Sequence, residues 1–528
     1  MHNDHLPHGA VALAQGVKAL YAKGQTDYSL EPLVLVDKNN KPLGQIKDGD
    51  AVIFCCRRGE REVELTDAFT DKNFSHFARP EFKNLTFVIL TLYHEKFKDL
   101  PIAFAPTRIN ETLAEVVSRA GLRQLHVSES EKFAHVTFFF NGGNNQPFAG
   151  EDDVCIPSPK DIPFDQVPEL SLPQVTDQVL KGIDERYDLI VTNFANGDVI
   201  GHTANNKAKV ECASFVDHSL WKVVEAARNA GYVTLITADH GNLEEMVTTN
   251  GSPHVAHTTN LVPLILMDPD WNTTTCLRDG KLADLAPTIL SALCLEQPES
   301  MRGKSILTDY KWGGKRRVLL IILDGWGLGK SDPSNPIFIA NTPVWDELIC
   351  NYPSCKLRAS GKAVGLKAGK AGNSEAGHLN IGAGRVVLQD DVRLDQALQD
   401  GSFYDNEVFL QTIDAVIKRD TNLHLIGLLT EKSSHGSIDY PLALLKMAKE
   451  RGLKKSNLHI IFDGRSTEPG SAPVLLEKLE AQMDEIGLGQ VVSGIGRGII
   501  LDRDGNYARI KIAFDALVNG IGNPYSLE

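Results

Sequence analysis

The sequence lacks the features of a disulfide-bonded, membrane-spanning or nucleic-acid-binding protein. Its eight cysteines include no C-x-x-C pair, and Cys55 and Cys56 are adjacent, which is poor geometry for a disulfide. No apolar run approaches the roughly 20 residues needed to span a bilayer. The net charge is −14, so no global basic field favours nucleic acid or an anionic membrane. We therefore expect reduced, mostly buried thiols and neither a nucleic-acid nor a membrane partner.

The first residues, MHNDHLPHGA, are polar and show no apolar segment of a signal peptide, so we expect a cytoplasmic protein. His2, His5 and His8 recur there at every third position. A frayed terminus explains this spacing more simply than a metal site. The chain also has no internal repeat and no low-complexity segment.

The 528 residues predict an α/β protein of more than one domain. From Thr176 onward helical and strand patterns alternate, and the same alternation starts again after the segment GRVVLQDDVRLD. Such alternation is typical of doubly wound sheets, which bind ligands beyond the carboxyl ends of their strands. Strands are also predicted for PLVLVD, DAVIFCC and KFAHVTFFFNGG. Residues 153–172 are predicted to be a loop, and PIAFAPTRIN a linker between domains.

The stretch AGNSEAGH, residues 371–378, places Ser374 among small residues. A serine at the start of a helical turn presents its hydroxyl beside free backbone N–H groups, where a phosphate can bind. Ser374 is therefore a candidate nucleophile that accepts a phosphoryl group. The alternative is a glycine-rich turn in which Ser374 caps the helix.

Acid, imidazole and hydroxyl side chains follow several predicted strands. Asp198 and His202 are four residues apart, so one helical turn would place them on one face. Asp239 and His240 are adjacent and would point to opposite sides of an extended segment, which suggests two metal ions rather than one. Mixed carboxylate and imidazole ligation suits Mn²⁺ or Zn²⁺, or Mg²⁺ with added water. Taken singly, each residue could instead be a helix cap or a buried structural histidine.

Arginines follow the predicted strand DAVIFCC in the segment RRGER, which contains Arg57, Arg58 and Arg61. Arginines beyond a strand end can converge on an anionic ligand as bidentate donors. The simpler interpretation is a solvated turn.

Together the motifs resemble the cofactor-independent phosphoglycerate mutases of the alkaline phosphatase superfamily. The resemblance covers nearly the whole chain. It rests on the segments LIILDGWG, GNSEAGHLNIGAGR, DGR at 463–465, GRGIILDRD, EKFAHVTFFFNGG, NGDVIGH, TADHGN and HVAHTTN.

The order of these motifs is not the family's order, in which LIILDGWG opens the chain and a segment ending near GKSIL closes it. Here GKSIL runs through TDYKWGGKRR directly into RVLLIILDGWG, which suggests a circular permutation. The resemblance then implies a continuous metal-binding phosphatase domain at 107–387. A smaller phosphotransferase domain would be split between 1–105 and 388–528. We expect the strand at 318–323 to join one parallel sheet with 233–237, and residues 1–100 to pack with 400–528.

The resemblance implies two divalent metal ions, most simply Mn²⁺, with Mg²⁺, Co²⁺ or Zn²⁺ as alternatives, and no organic cofactor. Ser374 resembles the phosphorylated serine, and Lys132 and Glu131 match the pair beside it. Metal ligands are implied at Asp198, His202 and His257 for one ion, and at Asp324, Ser374, Asp239 and His240 for the other. Substrate-holding positions match His435, Arg465, Ser466, Arg497, Arg503, Arg58 and Arg61.

The implied activity is the interconversion of 3-phosphoglycerate and 2-phosphoglycerate, a step of glycolysis and gluconeogenesis, by a monomer. Two segments depart from the family's pattern. Ser466 stands where the family usually has an aspartate after Gly-Arg, and Lys432-Ser433-Ser434 precedes His435 in place of Gly-Gly-Val. A metal-dependent phosphatase of the same superfamily, and a catalytically silent protein that keeps the fold, remain alternatives.

Overall fold

The structure is a computed structural model that describes residues 8–527 except 58, 107, 249, 271–276, 308, 309, 311, 432 and 434. Arg58, His2 and His5 lie outside the described residues. Within them the chain divides into two compact units. Unit 1 comprises residues 1–106 and 393–528, and unit 2 comprises residues 107–392.

The described residues contain sixteen strands. In chain order they are β1 (Leu33–Leu35), β2 (Ala51–Cys55), β3 (Thr86–Thr91), β4 (Ile102–Phe104), β5 (Gln124–Glu129), β6 (Glu151–Ile156), β7 (Leu189–Phe194), β8 (Val233–Thr237), β9 (Val262–Met267), β10 (Gly280–Lys281), β11 (Val318–Leu323), β12 (Ser354–Arg358), β13 (Leu423–Leu429), β14 (Ser456–Phe462), β15 (Gln490–Gly496) and β16 (Asn523–Tyr525).

Sixteen α-helices accompany the strands in the same residues. They are α1 (Ala10–Tyr21), α2 (Gly59–Thr70), α3 (Leu113–Arg119), α4 (Leu172–Asp184), α5 (Asn196–Gly201), α6 (Asn206–Asn229), α7 (Leu285–Ala292), α8 (Pro336–Ile339), α9 (Pro343–Asn351), α10 (Ser374–Ala383), α11 (Asp390–Asp400), α12 (Glu407–Arg419), α13 (Asp439–Glu450), α14 (Ala472–Ile486), α15 (Arg497–Ile500) and α16 (Tyr507–Phe514). None of them is both long and apolar enough to cross a membrane.

Asparagine side chains begin several of these helices. Asn205 accepts the backbone N–H of Ala208 at the start of α6, and Asn406 accepts those of Val408 and Phe409 at the start of α12. Such bonds satisfy N–H groups that the first helical turn leaves unpaired. The sequence thus fixes these helix starts locally, whichever sheet the helices cover.

The sheet of unit 1 has the strand order β16-β1-β15-β14-β13-β2-β3-β4. From β15 to β4 the neighbours are parallel, whereas β1 is antiparallel to β15. Both faces are covered, because Ile53 and Leu425 belong to one apolar core and Val52 and Ile426 to a second. Alternate residues of a strand face opposite sides, so a strand with both faces covered is apolar throughout.

The sheet of unit 2 has the order β10-β12-β9-β8-β11-β7-β5-β6, and β9 runs against its two neighbours. Its central strand, β11, is buried at every residue and pairs in parallel with both β8 and β7. The predicted pairing of residues 318–323 with 233–237 is therefore confirmed. The predicted association of residues 1–100 with 400–528 is also confirmed, because β2 pairs with β13 and β1 with β15.

Three local predictions are wrong. KFAHVTFFFNGG is not a strand but helical, with a π-helical turn at His135–Phe139 that packs against α10. Residues 153–172 are not all loop, because β6 occupies the beginning of that segment. RRGER is not a solvated turn, because α2 begins within it and Arg57 and Arg61 are buried. By contrast, the predicted linker PIAFAPTRIN is confirmed, because the boundary between the two units falls within it, although its first residues form the edge strand β4.

Candidate functional site

Side chains from the carboxyl ends of four adjacent strands of unit 2 meet at one place. Lys132 follows β5, Asp198 lies on α5 after β7, Asp324 follows β11, and Asp239 with His240 follows β8. Parallel strands bring these ends to one edge of the sheet, where α/β proteins bind their ligands. We call Asp198, His202, Asp239, His240, His257, Asp324 and Ser374 the acid–imidazole cluster.

Ser374 is the first residue of α10, and its neighbour Asn373 is the N-cap. The Asn373 side chain accepts the backbone N–H of Ala376 at 2.8 Å. The Ser374 hydroxyl is therefore not used to cap the helix, which rules out the alternative weighed above. It is 3.2 Å from Asp324 Oδ1, to which it donates, and 3.0 Å from His240 Nε2. It also lies at the positive end of the helix dipole.

Lys132 contributes a buried ammonium to this group. Its Nζ donates to Ser374 Oγ at 2.6 Å, Asp324 Oδ1 at 3.0 Å and Asp198 Oδ2 at 2.5 Å. Burial opposes its charge, but the two carboxylates outweigh burial and hold the pKa of Lys132 above its usual range. A permanently charged donor against Ser374 Oγ stabilises negative charge on that oxygen.

Three imidazoles of the cluster direct their Nε2 atoms towards the other cluster residues, because backbone carbonyls accept hydrogen bonds from their Nδ1 atoms. Nδ1 of His202 donates to Val255 O at 2.9 Å, that of His257 to Gly372 O at 2.8 Å, and that of His240 to Gly241 O at 3.2 Å. A carbonyl oxygen only accepts, so in each neutral ring Nδ1 carries the proton and Nε2 a lone pair. Nε2 of His202 and His257 nevertheless lie 3.0 Å apart.

The converging atoms fit divalent cations. Nε2 of His257 and of His202 lie 3.0 Å and 3.2 Å from Asp198 Oδ1, where lone pairs would repel without a positive ion between them. Asp239 Oδ2 is buried and has no hydrogen-bond donor among the described residues. Two groups, Asp198 with His240 and His257, and Asp239 with His240 and Asp324, have their ligand atoms within 4.8 Å of one another. Backbone carbonyls that orient imidazoles in this way are typical of metal sites.

The charges of the cluster shift its titrations strongly. Burial disfavours the carboxylate of Asp239, but His240, His378 and Lys132 together outweigh burial and hold the pKa of Asp239 far below its usual range. Burial disfavours protonation of His240, but Asp239, Asp324 and Asp198 together outweigh burial and raise the pKa of His240 to about 9. The pKa of His202 is raised by its hydrogen bond to Asp198. Protons and metal ions therefore compete for the same atoms.

Glycine allows α10 and α5 to approach these residues closely. A Cβ on Gly377 would lie 2.7 Å from the Cβ of Asp239, and one on Gly197 would lie 2.4 Å from the carbonyl oxygen of Asp324. The small residues of AGNSEAGH and NGDVIGH are thus required by packing next to the ligands.

Two predicted features of this site are not what the structure shows. Asp239 and His240 do not point to opposite sides, because the strand ends at Thr237 and His240 Nε2 lies 3.5 Å from Asp239 Oδ2. The alternation of a strand therefore does not apply to them. Glu131 is exposed, and among the described residues only its backbone N–H makes a contact, with Ser158. Its carboxylate is not part of the cluster.

The predicted substrate residues lie at the corresponding edge of unit 1. Ser433 connects several of them. Its carbonyl oxygen accepts a hydrogen bond from the Arg57 guanidinium at 2.8 Å, and its hydroxyl accepts one from the backbone N–H of His435 at 3.2 Å. Ser466 Oγ lies 3.4 Å from Ser433 Oγ. Arg497 is buried and pairs with Asp463. The structure therefore brings His435, Ser466 and Arg497 into one network.

The other predicted positions are more dispersed. Arg61 is buried and donates to Leu501 O at 3.0 Å, whereas Arg465 and Arg503 are exposed. Arg58 is outside the described residues. Glu62, which the sequence analysis did not single out, is fully buried with its Oε1 3.3 Å from His435 Nδ1.

Several polar side chains that orient the cluster were also missed. Asn193 donates to Asp324 Oδ2 at 2.7 Å, and Asn242 donates to Asp198 Oδ1 at 2.9 Å. His378 donates from Nδ1 to Ser374 O at 2.8 Å. A polar residue inside an apolar strand, as Asn193 is in LIVTNF, is the signal that could have identified the first of them.

Comparison with known proteins gives two family matches. A model described as "Metalloenzyme superfamily" matches residues 2–297. A model described as "BPG-independent PGAM N-terminus (iPGM_N)" matches residues 394–527, so a model named for an N-terminus matches the C-terminal part of this chain.

Curated relatives match a little over half of the chain. A 2,3-bisphosphoglycerate-independent phosphoglycerate mutase of Syntrophotalea carbinolica is 49% identical over 297 residues, which is 56% of this chain and 57% of that protein. Another of the same name, from Moorella thermoacetica, is 44% identical over 57% of this chain and 58% of its own length. The chain thus spans little more than half the length of these relatives.

A solved structure of Leishmania mexicana phosphoglycerate mutase, determined at low cobalt concentration, is 27% identical and has a TM-score of 0.39. The match covers 52% of this chain and 53% of that one.

Proposed function

The chain belongs to the metalloenzyme superfamily, and on this premise we propose that it interconverts 3-phosphoglycerate and 2-phosphoglycerate through phosphorylation of Ser374. The observation that carries the proposal is the position of Ser374 Oγ, in contact with Lys132, His240 and Asp324 at the start of α10. A serine serves as a nucleophile when neighbouring groups withdraw its proton and stabilise its charge.

The residues of unit 2 divide the chemical work. Ser374 Oγ donates its proton towards Asp324 Oδ1 and receives a hydrogen bond from Lys132 Nζ, so charge that develops on Oγ is stabilised as it attacks the phosphorus. The bond between phosphorus and the substrate oxygen breaks, the freed oxygen takes up the proton, and the phosphoryl group is left on Ser374. The other hydroxyl of the bound glycerate then loses its proton and attacks the phosphoserine, and Ser374 Oγ leaves and regains a proton. The same lysine and the N-terminus of α10 stabilise the phosphoserine.

We propose two divalent cations held by the acid–imidazole cluster. One would be held by Asp198, His202 and His257, and the other by Asp239, His240, Asp324 and Ser374. Bound cations would polarise the phosphate and lower the pKa of the Ser374 hydroxyl. Mn²⁺ is the proposed ion, because imidazole and carboxylate ligands together suit it. Mg²⁺, Co²⁺ and Zn²⁺ are the alternatives that a reconstitution series would compare.

In unit 1 we propose that the basic residues at the ends of β2 and β15 and the network of Ser433 hold the carboxylate and hydroxyl groups of the substrate. The residues are His435, Arg465, Ser466, Arg497, Arg503, Arg58 and Arg61. Buried Arg497 has an Nε without a hydrogen-bond acceptor among the described residues, which supports a bound anion there. Glu131 finds no support in the geometry.

We also propose that the chain is a circular permutant of the family's order and acts as a cytoplasmic monomer. The order of the two family matches supports the permutation, and so does the central position of β11, which directly follows the segment TDYKWGGKRR. Unit 2 would be the metal-binding phosphatase domain and unit 1 the phosphotransferase domain.

Ser374→Ala tests the proposal. We expect mutase turnover in an enolase-coupled assay to fall about 10³-fold or more, because the nucleophile is lost, while metal content stays close to that of the parent. Ser118→Ala is the control, since the Ser118 hydroxyl donates to Ala149 O at 2.7 Å and is not part of the cluster. Substantial turnover by Ser374→Ala would remove the nucleophile assignment.

The same assay separates the alternatives. Ser466 lies exposed where the resemblance predicts an acid, so a phosphatase that releases glycerate is the second candidate. Release of inorganic phosphate in excess of 2-phosphoglycerate would favour it. Absence of any turnover with each divalent ion would favour a protein that keeps only the fold.

A further inference from the structure

Lys209, on the first turn of α6, has a fully buried side chain that the proposed reaction does not use. It is 0% exposed, and its Nζ donates to the carbonyl oxygen of His254 at 2.5 Å. Within the described part of the chain no carboxylate lies within ion-pair distance of this ammonium. Burial lowers the pKa of Lys209 to about 8.

A buried ammonium without a counter-ion destabilises a fold, and an apolar side chain of similar length would fill the same volume at lower cost. Since Lys209 lacks an ion pair, its contribution has to come from the group that it holds. That group is the backbone of the segment His254–His257. The backbone N–H of His254 is itself held by Met246 O at 2.8 Å.

The segment His254–His257 connects to two residues of the acid–imidazole cluster. The carbonyl of Val255, the next residue, accepts Nδ1 of His202 at 2.9 Å. His257, two residues further, points its Nε2 at Asp198 Oδ1, 3.0 Å away. A shift of this segment would therefore move His257 and, at the same time, remove the hydrogen bond that orients the ring of His202.

Lys209 and His202 also lie close together in the sequence. His202 is the C-cap of α5, and α6 begins four residues later. Lys209 thus ties the helix that follows His202 to the segment that carries His257. Hydrogen bonds run from α6 through Lys209 to His254, and from Val255 back to His202.

We infer that Lys209 is a positioning residue that holds the segment His254–His257, so that His202 and His257 present Nε2 to one divalent cation beside Asp198. The inference rests on the metal site of the proposed function. According to this inference, the affinity of one of the two cation sites depends on a buried lysine outside the cluster. The affinity of the other site, at Asp239 and Asp324, does not depend on Lys209.

Lys209→Met in the full-length chain tests the inference, with Lys207→Met as the matched control. Lys207 lies two residues away, is exposed, and forms a surface ion pair with Glu211 at 3.4 Å. Mn²⁺ binding to metal-free protein is followed by calorimetry, and thermal unfolding is followed without metal. We expect Lys209→Met to weaken one of two Mn²⁺ sites about 10- to 100-fold, the range seen when residues behind metal ligands are removed.

The direction of the effect separates positioning from charge and from stability. Loss of a positive charge near a cation site would by itself tighten binding, so weaker binding identifies positioning. Metal-free Lys209→Met should unfold at the parental temperature or above it, because an unpaired buried charge is removed. Lys209→Gln, which keeps a donor, should retain part of the affinity.

Parental affinity at both Mn²⁺ sites in Lys209→Met, or equal weakening in Lys207→Met, would overturn the inference and leave the proposed function intact. A parent that binds no Mn²⁺ would instead overturn the proposed function, and the inference with it.

Discussion

Two groups of histidines, one in each unit, differ in where their ring protons lie. In unit 1, His424 of β13 and His459 of β14 connect Asp50 to Ser493 of β15. Asp50 Oδ2 is 3.1 Å from His424 Nε2, His424 Nδ1 is 3.0 Å from His459 Nε2, and His459 Nδ1 is 2.8 Å from Ser493 Oγ. We call these four residues the imidazole chain.

Every atom of the imidazole chain has a complementary neighbour. The Ser493 hydroxyl donates to His459, His459 donates to His424, and His424 donates to Asp50, so two neutral rings and one carboxylate suffice. Burial lowers the pKa of both rings, in agreement with their neutral form. This group is complete without any ligand and stabilises the sheet.

The acid–imidazole cluster of unit 2 cannot be completed in the same way. Backbone carbonyls take the Nδ1 protons of His202, His240 and His257, and the three lone pairs that remain face carboxylates and one another. The difference teaches that burial and clustering of histidines do not identify a metal site. The count of protons against acceptors does, because a surplus of lone pairs calls for a cation.

Removal of divalent ions should separate the two groups most sharply. We expect chelation to abolish mutase turnover, by about 10³-fold or more, and Mn²⁺ to restore most of it, because the acid–imidazole cluster, unlike the imidazole chain, has lone pairs that a bound cation would balance. Hydrogen exchange should become faster in α5 and in residues 254–257 and stay constant in β13 and β14. Failure of every divalent ion to restore turnover would contradict a two-metal mechanism.

Alanine substitutions should give opposite results in the two groups. His459→Ala leaves the buried Ser493 hydroxyl and Nδ1 of His424 without a hydrogen-bond partner and opens a cavity, so we expect the protein to lose about 2–4 kcal/mol of stability and to keep its metal. His257→Ala should instead weaken metal binding and change the stability of the metal-free protein by less than about 1 kcal/mol. Chemical denaturation and metal titration of both variants measure the two effects. Loss of metal from His459→Ala would undo the distinction.

Acid should destabilise the imidazole chain. The folded-state pKa values of His424 and His459 lie below that of an unfolded histidine, so the unfolded chain binds protons first as pH falls. Their contribution to stability is present above about pH 6.5 and is lost below it, by up to about 1.4 kcal/mol per pH unit for each ring. Hydrogen exchange in β13 and β14 at pH 7 and pH 5 measures the loss. If His459→Gln lost as much stability between pH 7 and pH 5 as the parent, protonation of His459 would not be a cause of the loss.

The smallest effect is expected at Asp153 of β6. This carboxyl group lies beside Glu151 of the same strand and buried His126 of β5. Burial raises the pKa of Asp153 to about 6, above its unfolded value of 3.8. Its contribution to stability is therefore present below about pH 4 and is lost as pH rises through 6.

Asp153→Asn should consequently stabilise the protein at pH 7, by about 1 kcal/mol after allowance for partial exposure. Thermal unfolding at pH 7 and pH 4 checks this, with the exposed Asp161→Asn as control. A stabilisation of the same size at both pH values would show that the carboxylate charge is not the cause.

The sequence predicted the centres of both sheets and the cluster because these features are local. A fully apolar run such as VLLIIL can only be buried, and Asp324 or Asp239 directly after such a run must lie at the strand end. The helical spacing of Asp198 and His202 was sufficient to place them together. The N-cap Asn373 was not recognised, although asparagine next to a serine in a glycine-rich turn offers the same chemistry.

What the sequence could not predict depends on tertiary packing. The valine, threonine and phenylalanines of HVTFF favour a strand locally, yet the segment is helical because it packs on α10, where a Cβ on Gly382 would lie 2.0 Å from Phe140 O. The helix α2 was not predicted, because the charged residues of GEREVELT mask the helical periodicity of its buried positions. Glu62 reaches His435 from 373 positions away, a separation that no local pattern conveys.

The discontinuous sequence of unit 1 has a consequence for synthesis on the ribosome. Strand β2 pairs on one side with β3 and on the other with β13, whose residues follow only after the whole of unit 2 has been made. Until then β2 presents an open, apolar edge of the kind that promotes association between chains. Unit 2, by contrast, is continuous and can collapse as soon as it emerges. Nascent chains stalled before residue 423 should therefore expose an unpaired, aggregation-prone strand edge that chaperones would have to cover.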